Sequence, residues 1–596
     1  VTAGQITAMT EAQAAFMTVE HIAGLSETQA NSLTAEQLVK FDTLAKVQAF
    51  KPALLATLDG ETQIAAFTPA QVGFFTKAQM TALEGSHVSN LSAAQIGELS
   101  TEQISAISLT AITSLNEEQI QAFDAATQIS GFTAAQIKGL TATQVGYFTS
   151  AQLKEFSAAQ VAAIETADID NMSEEQIQAF ETEQIQALTT AQFAALTDAQ
   201  ITAMTDAQVA KIENKDLAVL DVSQLGALSE SQVQSLTDLQ VKAITTAQIQ
   251  LLDAGFIQAM GSDQIQALSA SQLKAFTTGA ESSVNQMALF SDEQVPMFTA
   301  DQVKVLSLVQ VSAMTDTQIA AFDTVTDADS GTFNQMAALS TAVINGLGDT
   351  KLNLLDAAQV EALTSAQIKS LNTDDIAALD TTWIAAIGDD VSALTSTQLN
   401  TLTTAQIQAF DASTEIPELQ ATQLSKLTND RVSAFTSTQI AALSGEQMKA
   451  FTVAQIPGLN GSDAVSPAEN QIAAISTDAL ALMTVAQLAA MSETQIGSLT
   501  GDGQIAALTG AQIYGLKDTG INGLTTAQMA LFTVAQIQPA DDNASTGFKA
   551  AQLAGMTDEQ LGAFSADAKT SILANAAQIA SLTTAQKTAL GWTAPT

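Results

Sequence analysis

The sequence contains no cysteine, which excludes disulfides and thiolate metal sites and leaves the compartment open. Its two histidines, His21 and His87, lie 66 residues apart, so no histidine-rich zinc site can form within one chain without carboxylate help. Basic residues are scarce: Arg431 is the single arginine, and 20 Lys and Arg stand against 62 Asp and Glu, for a formal net charge of −42. Such a chain cannot lay a cationic track along phosphates, which excludes nucleic-acid binding and disfavours anionic lipid surfaces. No apolar run approaches the roughly 18 residues that span a bilayer, so no membrane insertion is expected. The chain opens Val1-Thr2-Ala3-Gly4, with neither an initiator methionine nor a basic-then-apolar leader, and reads as a processed product or a fragment of a longer array.

What remains is a narrow alphabet of Ala, Thr, Gln, Ile, Leu and Ser, and such narrowness points to an internal repeat. Phe132-Thr133-Ala134-Ala135-Gln136-Ile137-Lys138-Gly139-Leu140 is followed by Thr141-Ala142-Thr143-Gln144-Val145-Gly146-Tyr147-Phe148. Glutamine recurs at 136, 144, 152 and 160, and again at 176, 184, 192, 200 and 208. At 168, 216 and 256 the slot is filled by Asp168, Asp216 and Phe256 without loss of phase. The unit is an octad, Thr/Ser-x-Ala-Gln-Ile-x-Ala-Leu/Phe, written about seventy times along the chain.

Ser or Thr followed three residues later by Gln is a capping box, the reciprocal pair that satisfies orphan backbone donors at a helix start. Recurring every eighth residue, it predicts a helix of about two turns per octad. The Leu or Phe that ends one octad is placed to staple the next. Acidic residues favour the first turn, as in Ser173-Glu174-Glu175-Gln176, and lysines the position after Ile, as at Lys138, Lys154 and Lys242, in the sense the helix dipole prefers. A coiled coil needs a seven- or eleven-residue repeat, and a β-solenoid needs strand formers that Ala and Gln are not. Two-turn helices are unstable alone, so the octads must stack into one interior. The fold expected is an all-α solenoid, a superhelix of short helices running continuously over residues 1–596.

Phase slips of one residue fall near Lys46-Val47, Gln63, Gln128, Glu415-Ile416 and Gln504. Longer inserts are expected near 277–285, 323–334, 457–470 and 538–551. Two of them carry Asp327-Ala328-Asp329-Ser330-Gly331 and Asp541-Asp542-Asn543, which gather hard oxygens of the kind calcium takes. Neither matches the twelve-residue calcium loop, and solvated turn residues are the favoured reading.

His21 and His87 occupy the glutamine slot and are read as box variants rather than ligands or bases. Trp383 fills the same slot and is read as a surface variant of the solenoid. Serine and threonine abound because caps need them, and Gly501-Asp502-Gly503 lacks the further glycine and Lys-Ser/Thr pair of a phosphate loop. The sequence therefore predicts no catalytic, cofactor-binding or metal-binding residue, and no enzyme.

Strings such as Leu188-Thr189-Thr190-Ala191-Gln192 and Ile244-Thr245-Thr246-Ala247-Gln248-Ile249-Gln250 resemble octapeptide arrays of very large bacterial secreted or surface proteins of adhesin or matrix type. The resemblance covers nearly the whole chain, transfers no functional residue, and implies an extracellular or cell-surface structural role. Both ends carry the interior grammar, Thr2 to Ile6 and Thr583 to Leu590, which predicts head-to-tail self-association into a filament, surface layer or matrix. The alternative expectation is a rigid stalk or ligand-binding solenoid of a bacterial adhesin.

Overall fold

The structure, a computed structural model, describes residues 1–279, 284–325, 334–461, 470–537 and 548–593. It is all-helical: among the described residues there is no strand, and short helices follow one another at octad spacing. The chain divides into two compact units, Val1–Gln294 and Val295–Thr596. The same construction rule operates inside each.

The capping boxes form as the spacing predicts. Thr141 is extended (φ −82°, ψ 157°), its hydroxyl accepts from the Gln144 N–H at 3.3 Å, and the Gln144 Oε1 accepts from the Thr141 N–H at 3.1 Å. The strictly helical core that follows is shorter than two turns, usually four to six residues, as in Ala158–Val161 and Ala142–Tyr147. Caps and a closing 3₁₀-type bond complete the second turn, as when the Phe156 N–H donates to the Leu153 carbonyl at 3.1 Å. The octad ends because its Leu or Phe returns to extended backbone, as at Phe148 (φ −65°, ψ 132°), leaving the next Thr in cap geometry.

Two positions make the core. The residue after Gln is fully buried (Ile137, Leu153 and Ile185 in the first unit; Ile368 and Ile440 in the second), and the Leu or Phe closing the octad is nearly so. The closing side chains stack on one another: Phe132, Phe148 and Phe156 meet edge to face, with centroids 5.8 and 5.1 Å apart. Helix Glu174–Gln178 packs on Asp198–Ala203, three octads further on, and Glu230–Gln234 packs on Ala254–Ala259 in the same way.

Four of the five one-residue slips are absorbed at one point of the octad, between cap and slot; at Lys46 the cap, Thr43, keeps its ordinary spacing. At Gly60–Ile64 and Gly501–Ile505 the first turn widens to a π-helix, and the box closes over four residues instead of three. The Asp59 N–H still reaches the Gln63 Oε1 at 2.9 Å, and the Thr500 N–H reaches that of Gln504 at 2.7 Å. Longer inserts enter at the same point. The Gln286 Oε1 caps the Thr277 N–H at 2.9 Å, Gln335 caps Asp323 at 2.9 Å, and Gln471 caps Asn460 at 2.7 Å. Each re-entry is an Asn-Gln pair whose asparagine (Asn285, Asn334, Asn470) accepts the N–H of the residue three further on. Both Asp-rich calcium candidates, Asp327 to Gly331 and Asp541 to Asn543, lie outside the described residues, as does most of the expected 538–551 insert.

Candidate functional site

The most elaborate chemistry in the chain is in the glutamine slot. There the amide oxygen serves the residue's own cap while the amide nitrogen works on another turn. The Gln152 Oε1 accepts from the Thr149 N–H at 2.9 Å, and its Nε2 donates to the carbonyls of Ile120 and Phe123, both at 2.8 Å and 32 and 29 residues back. Gln184 repeats this on Leu153 and Phe156, both at 2.7 Å, 31 and 28 residues back. In the second unit Gln367 reaches Met336 and Leu339 over the same two spans, at 2.8 and 2.7 Å. The acceptors are in most rungs the two core residues of an earlier octad; in a few, as at Gln176 with Gly146 and Phe148, the residue after the first core position takes its place. A helix end leaves carbonyls without partners, and here the glutamine of the next turn supplies the donors.

These spans set the pitch. A helix packs on the octad three along, while its glutamine bonds to the octad four back. One turn therefore takes about three and a half octads, a non-integral repeat like that of residues in an α-helix. The glutamines form an inter-turn ladder, buried almost everywhere: Gln192 is 1% exposed and Gln335 0%.

Substitutes in the slot follow from this double duty. His87 accepts the Glu84 N–H on Nδ1 at 2.9 Å, and its Nε2 lies 2.9 Å from the Leu58 carbonyl, which fixes the Nε2–H tautomer. His21 keeps the cap half, accepting the Thr18 N–H at 3.2 Å. Lys46 donates to the Ala15 carbonyl at 2.7 Å, Lys351 to Met314 at 2.9 Å, and Arg431 through Nε to Asn400 at 3.1 Å. All five carry an N–H that can point at the turn below.

Trp383 corrects the sequence expectation. It is not on the surface but 3% exposed, because the slot faces the preceding turn, and its indole N–H is buried without a partner. Phe256 is likewise buried and contributes no donor.

Three buried carboxyls also occupy the slot. Burial raises Asp168 above the ordinary carboxylate range, with Glu165 and Asp170 adding to the effect. Burial also raises Asp216, against a Thr190 hydroxyl that donates to its Oδ1 at 2.7 Å; its Oδ2 is buried without a partner. Glu415, 1% exposed, is pushed up to about 7 by burial, against N–H donors from Asp411 and Gly388 that pull it down. A carboxylate in this slot meets carbonyls it cannot bond, so the fold favours the protonated form.

Two of the lysines placed in the sequence by dipole preference pair between turns on the surface. Lys138 lies 3.4 Å from Glu165, and Lys154 lies 3.9 Å from Glu181. Exposed pairs of this kind are worth about 0–1 kcal/mol. Among the described residues no three His, Asp or Glu side chains converge on a metal-sized site, and no helix is long and apolar enough to cross a membrane.

Fold and ladder together define a repeat protein of solenoid type. The ALTTAQ repeat is the family whose model the chain matches, at residues 161–198, 177–211 and 209–246 in the first unit. No curated protein matches the sequence. Among solved structures, the leucine-rich repeat-containing protein LegL7 from Legionella pneumophila is 12% identical, over 47% of this chain and 79% of its own, with a TM-score of 0.13. An engineered protein is 14% identical over 83% and 93%, with a TM-score of 0.11. Likenesses at those scores carry no argument about fold or function.

Proposed function

We propose that the chain is a non-enzymatic structural protein, one continuous octad array over residues 1–596, acting at the cell surface or outside the cell. In this reading copies join head to tail into a filament, surface layer or matrix. The observation that carries it is the two-sidedness of the ladder, in which a turn offers amide donors on one face and carbonyl acceptors on the other. Gln152 donates to the carbonyls of Ile120 and Phe123, and the carbonyls of Leu153 and Phe156 in its own octad are taken by Gln184. The first unit also carries an apolar groove of about 460 Å³, with Ile6, Met9, Met17 and Leu25 in its wall and Phe16 83% exposed.

Donors on one face and acceptors on the other are what a further turn of the ladder would join. Burial of such apolar faces is favourable by roughly 25 cal/mol per Å². Contacts of this kind that do not close into rings propagate as fibres. The net charge of −42 keeps lateral faces apart at low salt.

The second reading, a rigid stalk or ligand-binding solenoid of an adhesin, is favoured by the inserts. All three whose flanks are described enter between cap and glutamine, which leaves the ladder whole, and loops carried on a rigid scaffold in this way are common sites of binding.

Sedimentation and electron microscopy of the chain separate the two. End-to-end polymers, shortened in Gln13→Ala and Phe16→Ser, support self-assembly. A chain that stays monomeric at high concentration leaves only the stalk.

A further inference from the structure

One interrupted rung in the ladder of the second unit is reversed. Gln406 takes the carbonyls of Ile376 and Leu379, and Gln423 takes those of Val391 and Leu394. The pair between them belongs to Ile384 and Ile387, and the slot that should serve it holds Glu415. This side chain has the shape of glutamine and does half its work in the same way, accepting the Asp411 N–H on Oε2 at 2.6 Å. Its other oxygen takes the place of the amide nitrogen but runs the bond backwards, accepting the Gly388 N–H at 3.2 Å.

That reversal needs a special backbone. Gly388 has φ +59°, a conformation that costs an L side chain and that glycine adopts freely, and the chain continues as a 3₁₀ turn over Gly388–Ala393. A normal octad presents carbonyls here; this one presents an N–H.

We propose that Glu415 and Gly388 form a proton-operated joint in the ladder. With the carboxylate ionised, the Gly388 N–H is the rung. With Oε1 protonated, the hydroxyl donates to the Ile384 or Ile387 carbonyl, as glutamine would, and the Gly388 N–H is released. One proton, taken from water at Oε1, exchanges a left-handed kink for a regular rung.

The surroundings hold the exchange within reach of ordinary pH. Burial pushes the Glu415 carboxyl up to about 7, the Asp411 carboxylate adds to that, and the two N–H donors oppose it. Asp411 stays ionised, held down to about 2 by the hydroxyls and N–H groups of Ser413 and Thr414. The segment Gly388–Ala393 packed against Glu415 brings Asp389 and Asp390, with Asp390 accepting from the Ser365 hydroxyl at 2.6 Å. The other packed helix, Ser437–Ala442, carries no charge, and Glu418 is exposed on Glu415's own segment.

Hydrogen exchange on the full chain, with exchange times scaled for intrinsic rate, tests this on peptides covering residues 384–394. Protection at Gly388 is expected to be several-fold greater at pH 8.5 than at pH 5. In Glu415→Gln it becomes the same at both. In Gly388→Ala, where the amide can no longer aim at the carboxylate, the transition moves to higher pH. Equal protection at both pH values in the parent chain, or a transition that persists in Glu415→Gln, overturns the proposal.

Discussion

Truncating one ladder glutamine should be felt on two turns at once. In Gln152→Ala the Phe123 carbonyl loses its ladder donor in a buried position, which costs about 1–3 kcal/mol. The Ile120 carbonyl fares better, because the Phe123 N–H still donates to it at 3.3 Å. The Thr149 N–H loses its Oε1 acceptor but is near enough to the surface to find water, so its loss is about 0.5–1.5 kcal/mol. Together these give about 3 kcal/mol. The cap threonine matters less: the Thr149 hydroxyl lies 3.3 Å from the Gln152 N–H, at the long limit of such bonds, which puts Thr149→Ala near the low end of the usual range, about 0.5 kcal/mol.

Global unfolding of a repeat array need not be two-state, so the appropriate assay is native-state hydrogen exchange resolved by peptide. A loss of about 3 kcal/mol lowers protection by about 100-fold. It should appear both in the peptide containing residues 149–156 and in the one containing 120–123. An effect confined to the first peptide, or no larger than that of Thr149→Ala, would refute the inter-turn role of the amide.

Asp216→Gln should restore a missing rung. Because Asp216 is raised above its ordinary value, the folded chain holds a proton that the unfolded chain has released, so stability falls as pH climbs from about 4 through the folded value. The gain from Asp216→Gln should therefore be small in acid and full at neutral pH, and melting curves across that range check it. Gly515→Ala should destabilise, since the added Cβ would stand 2.0 Å from the Val485 Cγ1 of another turn, and Val485→Ala should recover most of the loss in a double-mutant cycle. Thr133→Ala and Thr141→Ala, whose hydroxyls lie 3.2 and 3.3 Å from the glutamine N–H, should likewise cost about 0.5 kcal/mol, and Ala134→Ser or Ala142→Ser much less; equal effects in the same exchange assay would contradict the register. A residue inserted between Thr149 and Gln152 should be absorbed with little change in helical circular dichroism or melting, whereas one inserted between Leu153 and Phe156 should lower both.

Period, caps and helical class were all legible in the sequence, because each is a local property of the octad. Thr133 and Gln136 are three residues apart and announce their own hydrogen bonds. The ladder was not legible, because its acceptors lie about 28 to 32 residues away and are carbonyls, which every residue has. A signal was nonetheless present. Glu serves a capping box as well as Gln does, so box chemistry alone does not explain why glutamine fills the slot so persistently. A group with an acceptor for one turn and a donor for another does. His87, Lys46, Lys351 and Arg431 in the same slot pointed the same way, since each donates an N–H. Trp383 was misplaced on the surface for the same reason: without the ladder, nothing showed that the slot faces inward.

The division of labour within the amide also explains where the chain tolerates added residues. The acceptors of a rung are the two core residues at the end of an octad, and their carbonyls are fixed by burial of Ile and Leu. The donor hangs from the glutamine, and what precedes it need only deliver one N–H to Oε1. Residues added between cap and glutamine lengthen the span without changing which groups meet: Gln286 bonds 37 and 34 residues back, Gln335 bonds 40 and 37, and Gln471 bonds 39 and 36. By Gln504 the span is 32 and 29 again. Residues added between Ile and Leu would instead separate the two acceptors and unseat two core side chains. The slips at Gln63 and Gln504 and the inserts before Gln286, Gln335 and Gln471 all fall on the permissive side. Register in this solenoid is thus kept by which groups can bond across a turn rather than by a count of residues, and the array can vary in length wherever that pairing is left intact.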